Sequence, residues 1–265
     1  MNEPAPMKLI AILVASVFAI GCEAGVPAPT PTTTDEADGL SLRINTPERI
    51  AGTYVDPATN VGLTFESARV ADILYLDVKS MNGTELIHAE TVGDDYVFRY
   101  MGGQLKLTVS KAWVATIKAE GDEGPAASDE SAARWEGDRN VLDAMLALPE
   151  MSVLPWLSRS LGVEGITGST HPSSLALHKT ARQSAKALDI NLPPIEMASE
   201  NSQCQAYPNS GNQCYGMCGN GCSCWSWVCG DCCYHGGCAK HDNWCRNGQW
   251  YYCYNITAVV ALFGC

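Results

Sequence analysis

The fold of the first half of this chain is decided by the stretch Ile73-Leu-Tyr-Leu-Asp-Val-Lys-Ser-Met-Asn-Gly-Thr-Glu-Leu-Ile-His-Ala-Glu-Thr-Val92. Apolar and polar side chains alternate on both sides of Asn82-Gly83, which is the period of a strand with one buried face. Asn-Gly is the dipeptide most typical of a tight turn between two antiparallel strands. The stretch therefore predicts a β-hairpin.

Similar runs flank this hairpin and extend the prediction. They are Leu63–Phe65, Tyr96–Tyr100, Leu105–Val109 and Trp113–Ile117, and Met101-Gly-Gly103 supplies another turn. Successive strands joined by tight turns predict an all-β antiparallel meander over residues 46–119, closed as a small barrel or forming half of a sandwich. His88 is the lone histidine of these strands, and we interpret it as a structural residue. The sequence leaves open whether this domain is a spacer, an inhibitor-like module or a binding module, and it identifies no protein partner.

Residues 120–203 are predicted to be an acidic linker followed by a helical connector. The linker runs from Glu120 to Glu136. One helix is expected over Arg139 to Leu148, ended by Pro149, and a second over Pro172 to Leu188. His171 and His178 lie at or in the second helix, and we interpret them as solvated or packed helix residues.

The N-terminus has the features of an export signal. Lys8 precedes the apolar run Leu9 to Ile20, and Gly21-Cys22 follows it. This arrangement resembles the signal peptide of a bacterial lipoprotein, which implies that residues 1–21 are removed and that Cys22 is lipidated. Residues 22–45 then form a flexible tether. The protein is expected to be exported and lipid-anchored to a bacterial membrane, in the periplasm or at the cell surface, or else simply secreted.

Cysteine is concentrated at the other end of the chain. Twelve of the 13 cysteines fall within residues 204–265, which indicates a domain held by disulfides in an oxidising compartment. The predicted bridge-forming residues are Cys204, Cys214, Cys218, Cys222, Cys224, Cys229, Cys232, Cys233, Cys238, Cys245, Cys253 and Cys265. Their connectivity does not follow from the sequence.

Two segments of this domain carry chemistry. One is the glycine-bearing loop Met217-Cys-Gly-Asn-Gly221, whose backbone is free to turn several carbonyls toward one cation. The other is Cys238-Ala-Lys-His241-Asp242-Asn-Trp-Cys245, which has helical spacing. An imidazole fixed on such a helix can accept a proton from water.

Together these segments resemble the secreted phospholipases A2, and bacterial members in particular. The resemblance covers residues 204–265 and implies a small α-helical, disulfide-rich domain that hydrolyses glycerophospholipid acyl esters at a membrane surface. It implies that His241 is the general base and that Asp242 binds Ca²⁺ with the carbonyls of Met217, Gly219 and Gly221. It further implies that the Gly219 N–H stabilises the oxyanion.

The segment departs from the family at the residue that orients the catalytic imidazole. Family members use a second Asp on a later helix, whereas no acidic residue follows Asp242 here. Asp231 or an uncharged hydrogen-bonding residue could replace it, or activity is weak. The uncharged candidates are Tyr251, Tyr252, Tyr254 and Asn255.

Three other functions compete with a phospholipase for this segment. Cys229-Gly-Asp-Cys232 with His235 and His241 has zinc-ligand spacing, but 12 cysteines are too many for one or two zinc ions. A thiol-redox role for the same motif is disfavoured because no thioredoxin-like alternation of strands and helices surrounds it. A catalytically inactive phospholipase-like binding or toxin-like module stays open.

Charge and aromatic content bear on partners. The formal net charge is −12 and no basic patch is present, so nucleic acid is not expected as a partner. Trp225 and Trp227 are candidates for contact with the membrane–water boundary, where tryptophan is enriched.

Overall fold

The computed structural model describes residues 39–120, 133–193, 195, 219–220 and 223–229, with only the backbone described at 116–120, 219–220, 223–224, 226 and 229. Eight strands form one antiparallel sheet in which each strand pairs with the next along the chain. They are β1 (Leu40–Thr46), β2 (Arg49–Val55), β3 (Gly62–Val70), β4 (Ile73–Ser80), β5 (Glu85–Val92), β6 (Asp95–Tyr100), β7 (Leu105–Ser110) and β8 (Ala133–Gly137). The predicted antiparallel meander is confirmed. In the described sheet β1 and β8 are edge strands, so the strands do not close into a barrel.

The tight turns lie where the sequence places them. Gly83 joins β4 to β5 with a φ of +87°. Between β6 and β7, Met101, Gly102 and Gly103 have φ values of 51°, 65° and 87°. Three successive residues in the left-handed region are tolerated because two of them are glycines.

The two faces of the sheet differ in polarity, as strand alternation requires. The core face carries apolar side chains in cross-strand register, for example Phe65 opposite Val78 and Ile87 opposite Tyr100. The outer face carries a polar row that crosses six strands in register. The row consists of Glu66, Asp77, His88, Arg99, Lys106 and Glu136.

Among the described residues, five α-helices and one 3-10 turn follow or interrupt the strands. They are α1 (Lys111–Glu120), α2 (Asn140–Leu146), α3 (Pro149–Val163), the 3-10 turn Pro172–Ser174, α4 (Leu175–Ala187) and α5 (Ser226–Cys229). The predicted helices of the connector correspond to α2 and to the 3-10 turn with α4. Pro149 ends the first of these and also begins α3, because proline fits the first turn of a helix.

The element predictions are wrong at three places, and α3 was not predicted at all. Trp113–Ile117 was expected to be a strand but lies in α1, where the neighbouring side chains of Trp113 and Val114 are both buried instead of alternating. β1 lies largely in the predicted tether and β8 in the predicted acidic linker. Both are edge strands with one half-polar face, so their composition resembles that of a linker.

The helices cover the core face of the sheet and share one core with it. The 3-10 turn contacts β2 and β3, and α3 contacts β1 and β3. At this junction the buried Ser67 hydroxyl donates to the Ser173 carbonyl. Among the described residues no single helix has the length and hydropathy of a membrane span; α2 and α3 meet these criteria only together, across a 66° bend.

Candidate functional site

Most of the predicted catalytic and binding residues lie outside the described residues. These are Cys22, Met217, Gly221, His241, Asp242 and all the predicted bridge cysteines except Cys224 and Cys229. The described residues therefore do not test whether the predicted calcium ligands lie close together. Gly219 is the one predicted ligand whose backbone is described.

Gly219 lies in a short antiparallel pair. β9 (Gly219–Asn220) pairs with β10 (Ser223–Cys224), with Gly219 opposite Cys224 and Asn220 opposite Ser223. Residues in antiparallel pairs alternate between bonding each other and directing their N–H and C=O groups away from the partner strand. One of the two β9 residues therefore directs its backbone polar groups away from β10.

The residues directly after this pair are inserted into the core. Trp225 and Trp227 are 1% and 0% exposed, and their rings stack with centroids 5.1 Å apart. α5 contacts both α3 and α4. The expectation that Trp225 and Trp227 touch a membrane surface is therefore wrong, because both side chains complete a protein core.

Trp227 ends a buried chain of hydrogen bonds. Its indole Nε1–H donates to Ser158 Oγ at 3.0 Å, Ser158 Oγ lies 2.8 Å from His178 Nδ1, and His178 Nε2 lies 2.9 Å from the Ile166 carbonyl. The indole can only donate and the carbonyl can only accept, which fixes every proton. His178 therefore carries its proton on Nε2, and Ser158 donates to Nδ1.

This serine–histidine pair is structural, although its spacing matches that of a nucleophile and its base. Ser158 and His178 are both 0% exposed, so no substrate carbonyl can reach the hydroxyl. The second nitrogen of His178 faces a backbone carbonyl and not a carboxylate. The interpretation of His178 as a packed helix residue is confirmed, and its role is to hold Trp227.

Two glycines make room for the inserted segment. A Cβ atom at Gly162 would lie 2.7 Å from the Trp227 ring, and one at Gly168 would lie 1.9 Å from the Val228 carbonyl oxygen. The Gly168 N–H also donates to the Trp227 carbonyl at 2.9 Å. The chain between α3 and α4 is thus fitted to the segment 225–228. We call this arrangement of Trp227, Ser158, His178 and the two glycines the tryptophan anchor.

Comparisons with protein-family models, with curated proteins and with solved structures find no match.

The tryptophan anchor makes stability depend on pH. Burial lowers the pKa of His178 from 6.5 to about 4, and the nearby His171 adds to this. The unfolded chain therefore binds one more proton than the folded protein between these two values. The contribution of His178 to the free energy of unfolding should therefore be complete above pH 6.5. It should fall by about 3 kcal/mol as the pH drops toward 4.

Urea unfolding followed by circular dichroism at pH 7 and pH 4.5 measures this loss. His178→Gln is expected to lower stability at pH 7 and to remove most of the decrease between the two pH values. His171→Gln is the comparison variant. His171 lies outside the hydrogen-bond chain, but burial lowers its pKa as well, so its replacement should remove only the smaller part of the decrease. An unchanged pH dependence in His178→Gln would refute the assignment.

A second polar cluster lies on the outer face of the sheet, where sequence reasoning identified only His88. Asp77, Glu85 and His88 offer one ligand atom each within 4.8 Å of one another. Asp77 and His88 are directly opposite each other on β4 and β5. The alternation of the two strands places both residues on the polar face, but nothing in the sequence gives the register that brings Glu85 to them.

Proposed function

We propose that this exported protein hydrolyses glycerophospholipid acyl esters through its cysteine-rich segment, in a Ca²⁺-dependent reaction of the phospholipase A2 type. The observation that carries the proposal is the run Cys238-Ala-Lys-His241-Asp242-x-x-Cys245 preceded by Met217-Cys-Gly-Asn-Gly221. His-Asp alone is a weak signal. Its combination with the glycine-bearing loop, the flanking cysteines and an export signal is more specific.

Each residue of the proposed site has a defined task. His241 accepts a proton from the attacking water, for which one ring nitrogen must be unprotonated. Asp242 and the carbonyls of Met217, Gly219 and Gly221 supply oxygen ligands, the type that Ca²⁺ prefers. The Gly219 N–H donates to the oxygen that becomes negative when the ester carbonyl is attacked. Bound Ca²⁺ adds Lewis-acid stabilisation of that charge.

The described geometry supports this proposal at two points. β9 contains Gly219, and a residue in such a pair can direct backbone polar groups away from its partner, as a ligand loop needs. The tryptophan anchor fixes Trp227, eleven residues before Cys238, to the helices. A rigid attachment next to a site favours catalysis, because side chains on well-packed elements keep their geometry.

A phospholipase-like module without activity is the alternative, and one observation favours it. No acidic residue follows Asp242, so the carboxylate that orients the imidazole in family members is missing. Asp231 is the one remaining acid of the segment that could take its place. The proposed enzyme therefore depends either on Asp231 or on a neutral partner of His241.

The experiment that separates the two functions is fatty-acid release from mixed phospholipid vesicles by the purified, oxidised protein. We expect release in the presence of Ca²⁺ and a fall to background with EGTA, because both the ligand set and the oxyanion contact require the ion. Restoring Ca²⁺ should restore release. A correctly oxidised, Ca²⁺-supplied sample that releases no fatty acid from any vesicle composition favours the inactive module.

A further inference from the structure

A β-bulge places a glutamate on the polar face of the sheet beside Asp77 and His88. Val78 pairs with Ile87 but Lys79 pairs with Glu85, so Leu86 is an extra residue in β5. In a regular register Lys79 would pair with Leu86, and Glu85 would point to the core face. Bulges re-aim side chains in this way and are common at functional sites. Here the bulge brings a second carboxylate to the face that carries His88.

Two atoms of this cluster are buried without a partner. Asp77 is 9% exposed, and its Oδ1 has no hydrogen bond among the described residues. The same holds for Nε2 of His88, whose side chain is 12% exposed. Buried polar atoms are normally paired, and an unpaired one costs free energy unless water or an ion satisfies it. Of the two atoms, Asp77 Oδ1 faces Nδ1 of His88 within the cluster, while His88 Nε2 faces Glu90. The unmet bonding capacity inside the cluster is therefore that of Asp77 Oδ1.

The distance between Asp77 and His88 fits two ligands of one small cation. Asp77 Oδ1 and His88 Nδ1 lie 3.5 Å apart without a hydrogen bond between them. Two ligands of a tetrahedral Zn²⁺, with bonds of about 2.0–2.2 Å, lie about 3.3–3.6 Å apart. This separation therefore matches a pair of atoms that share an ion, and the ligand atom of Glu85 lies within 4.8 Å of both.

We propose that Asp77, Glu85 and His88 form a binding site for a divalent transition-metal ion, with Zn²⁺ as its probe. An imidazole with two carboxylates suits zinc and its neighbours, whereas Ca²⁺ takes six to eight oxygen ligands. Three protein ligands leave a coordination position for water. This site is separate from the calcium site proposed in the cysteine-rich segment.

The surroundings of the cluster are those of a metal site. His88 Nε2 lies 3.7 Å from Glu90 Oε1, and Glu90 pairs with Arg99. A ligating histidine typically directs its other nitrogen at such a carboxylate, which holds the ring in place. An open groove of about 300 Å³, also lined by Arg43 and Glu66, reaches Asp77 and gives an ion a path from solvent.

The Lys79 ammonium group opposes cation binding at this site. Its Nζ lies 2.5 Å from Asp77 Oδ2, which leaves Oδ1 available and reduces the negative charge of the cluster. Removing this charge should strengthen metal binding. Lys79→Met therefore distinguishes a metal site from a plain ion-pair cluster. The affinity for Zn²⁺ should rise if the cluster is a metal site, whereas a plain ion-pair cluster gains no measurable affinity for Zn²⁺.

The test is calorimetric titration of the full, oxidised protein with ZnCl₂ in metal-free buffer. We expect one binding event that Glu85→Gln and His88→Gln weaken at least 100-fold. Glu90→Gln should weaken it about 10-fold, the usual effect of losing the carboxylate that orients a ligating histidine. Lys79→Met should bind more tightly. His171→Gln and Glu136→Gln remove a histidine and an outer-face glutamate elsewhere, and both should bind as the natural protein does.

Histidine-selective NMR reports on the same titration independently of folding stability. The chain has five histidines, and the proposal requires the resonances of His88 to shift at one equivalent of Zn²⁺. Glu85→Gln is nearly isosteric, so a folded Glu85→Gln protein without this shift supports the site. The proposed site is refuted if Glu85→Gln and His88→Gln bind Zn²⁺ as tightly as the natural protein and the His88 resonances of the natural protein do not shift. The ion then has other ligands, such as the cysteines.

Discussion

His241→Gln should reduce the initial rate of Ca²⁺-dependent fatty-acid release by about 10²–10⁴-fold, the range that a positioned general base contributes. Glutamine is close to histidine in size and can keep a hydrogen bond, but its amide cannot accept a proton at neutral pH. The expected loss is therefore in the rate of the chemical step, with binding to vesicles retained. Initial rates on saturating vesicles and a vesicle sedimentation assay measure the two separately.

His235→Gln is the matched control for this loss, because His235 lies in the same segment and outside the motif. Its replacement should leave release within a few-fold of the natural protein. Equal losses in the two variants would indicate that both histidines support the fold or a shared zinc ion. Full activity in His241→Gln would eliminate the proposed base, whatever the status of the metal site on the sheet.

The parts of the fold that could be predicted are those that depend on residues close to one another in the sequence. The hairpin around Asn82-Gly83 combines strand alternation with a specific turn dipeptide, and each signal depends on neighbours in sequence. The helix α4 was found for the same reason. β8 was missed because an edge strand buries few side chains: only Ala133 of that strand is fully buried. Its Glu136 contacts Lys106 of β7, and such a cross-strand pair leaves no signal along the chain.

α3 was missed because a proline in its sequence argues against a helix. Pro155 lies inside the helix, where a proline removes one hydrogen bond and costs about 3 kcal/mol. Packing outweighs that cost here, since Leu154, Leu157 and Leu161 are all 0% exposed. Tertiary burial of this kind is the main reason that helix propensity alone fails.

The candidate sites divide in the same way. The His241 motif is local and could be recognised, while the cluster at Asp77 depends on strand register and on a bulge at Leu86. The hydrogen-bond chain from Trp227 to His178 joins residues 69 and 20 positions apart. No periodicity links such positions, and tryptophan in a thin disulfide domain fits either a core or a membrane contact. The burial of Trp227 decides between these two roles.

Trp227→Ala should lower the free energy of unfolding by about 3–5 kcal/mol, the range for removing a large aromatic side chain from a core. The ring is 0% exposed, stacks on Trp225 and donates to Ser158, so the change creates a cavity and leaves a buried hydroxyl with one partner fewer. Trp227→Phe keeps most of the packing and loses the donor, for which about 1–2 kcal/mol is expected. Urea unfolding of the oxidised natural protein and of the two variants at pH 7 measures these differences.

Trp156→Ala gives this series its control, because Trp156 lies on α3 and is 36% exposed. Its loss should cost clearly less than that of Trp227. If the two alanine variants are equally stable, the segment 225–228 does not contribute to the core and the tryptophan anchor is wrong. If Trp227→Ala is strongly destabilised and its vesicle activity at pH 7 also falls, the anchor holds the catalytic segment in place. The sheet and helices would then stabilise the proposed enzyme, beyond separating it from the membrane.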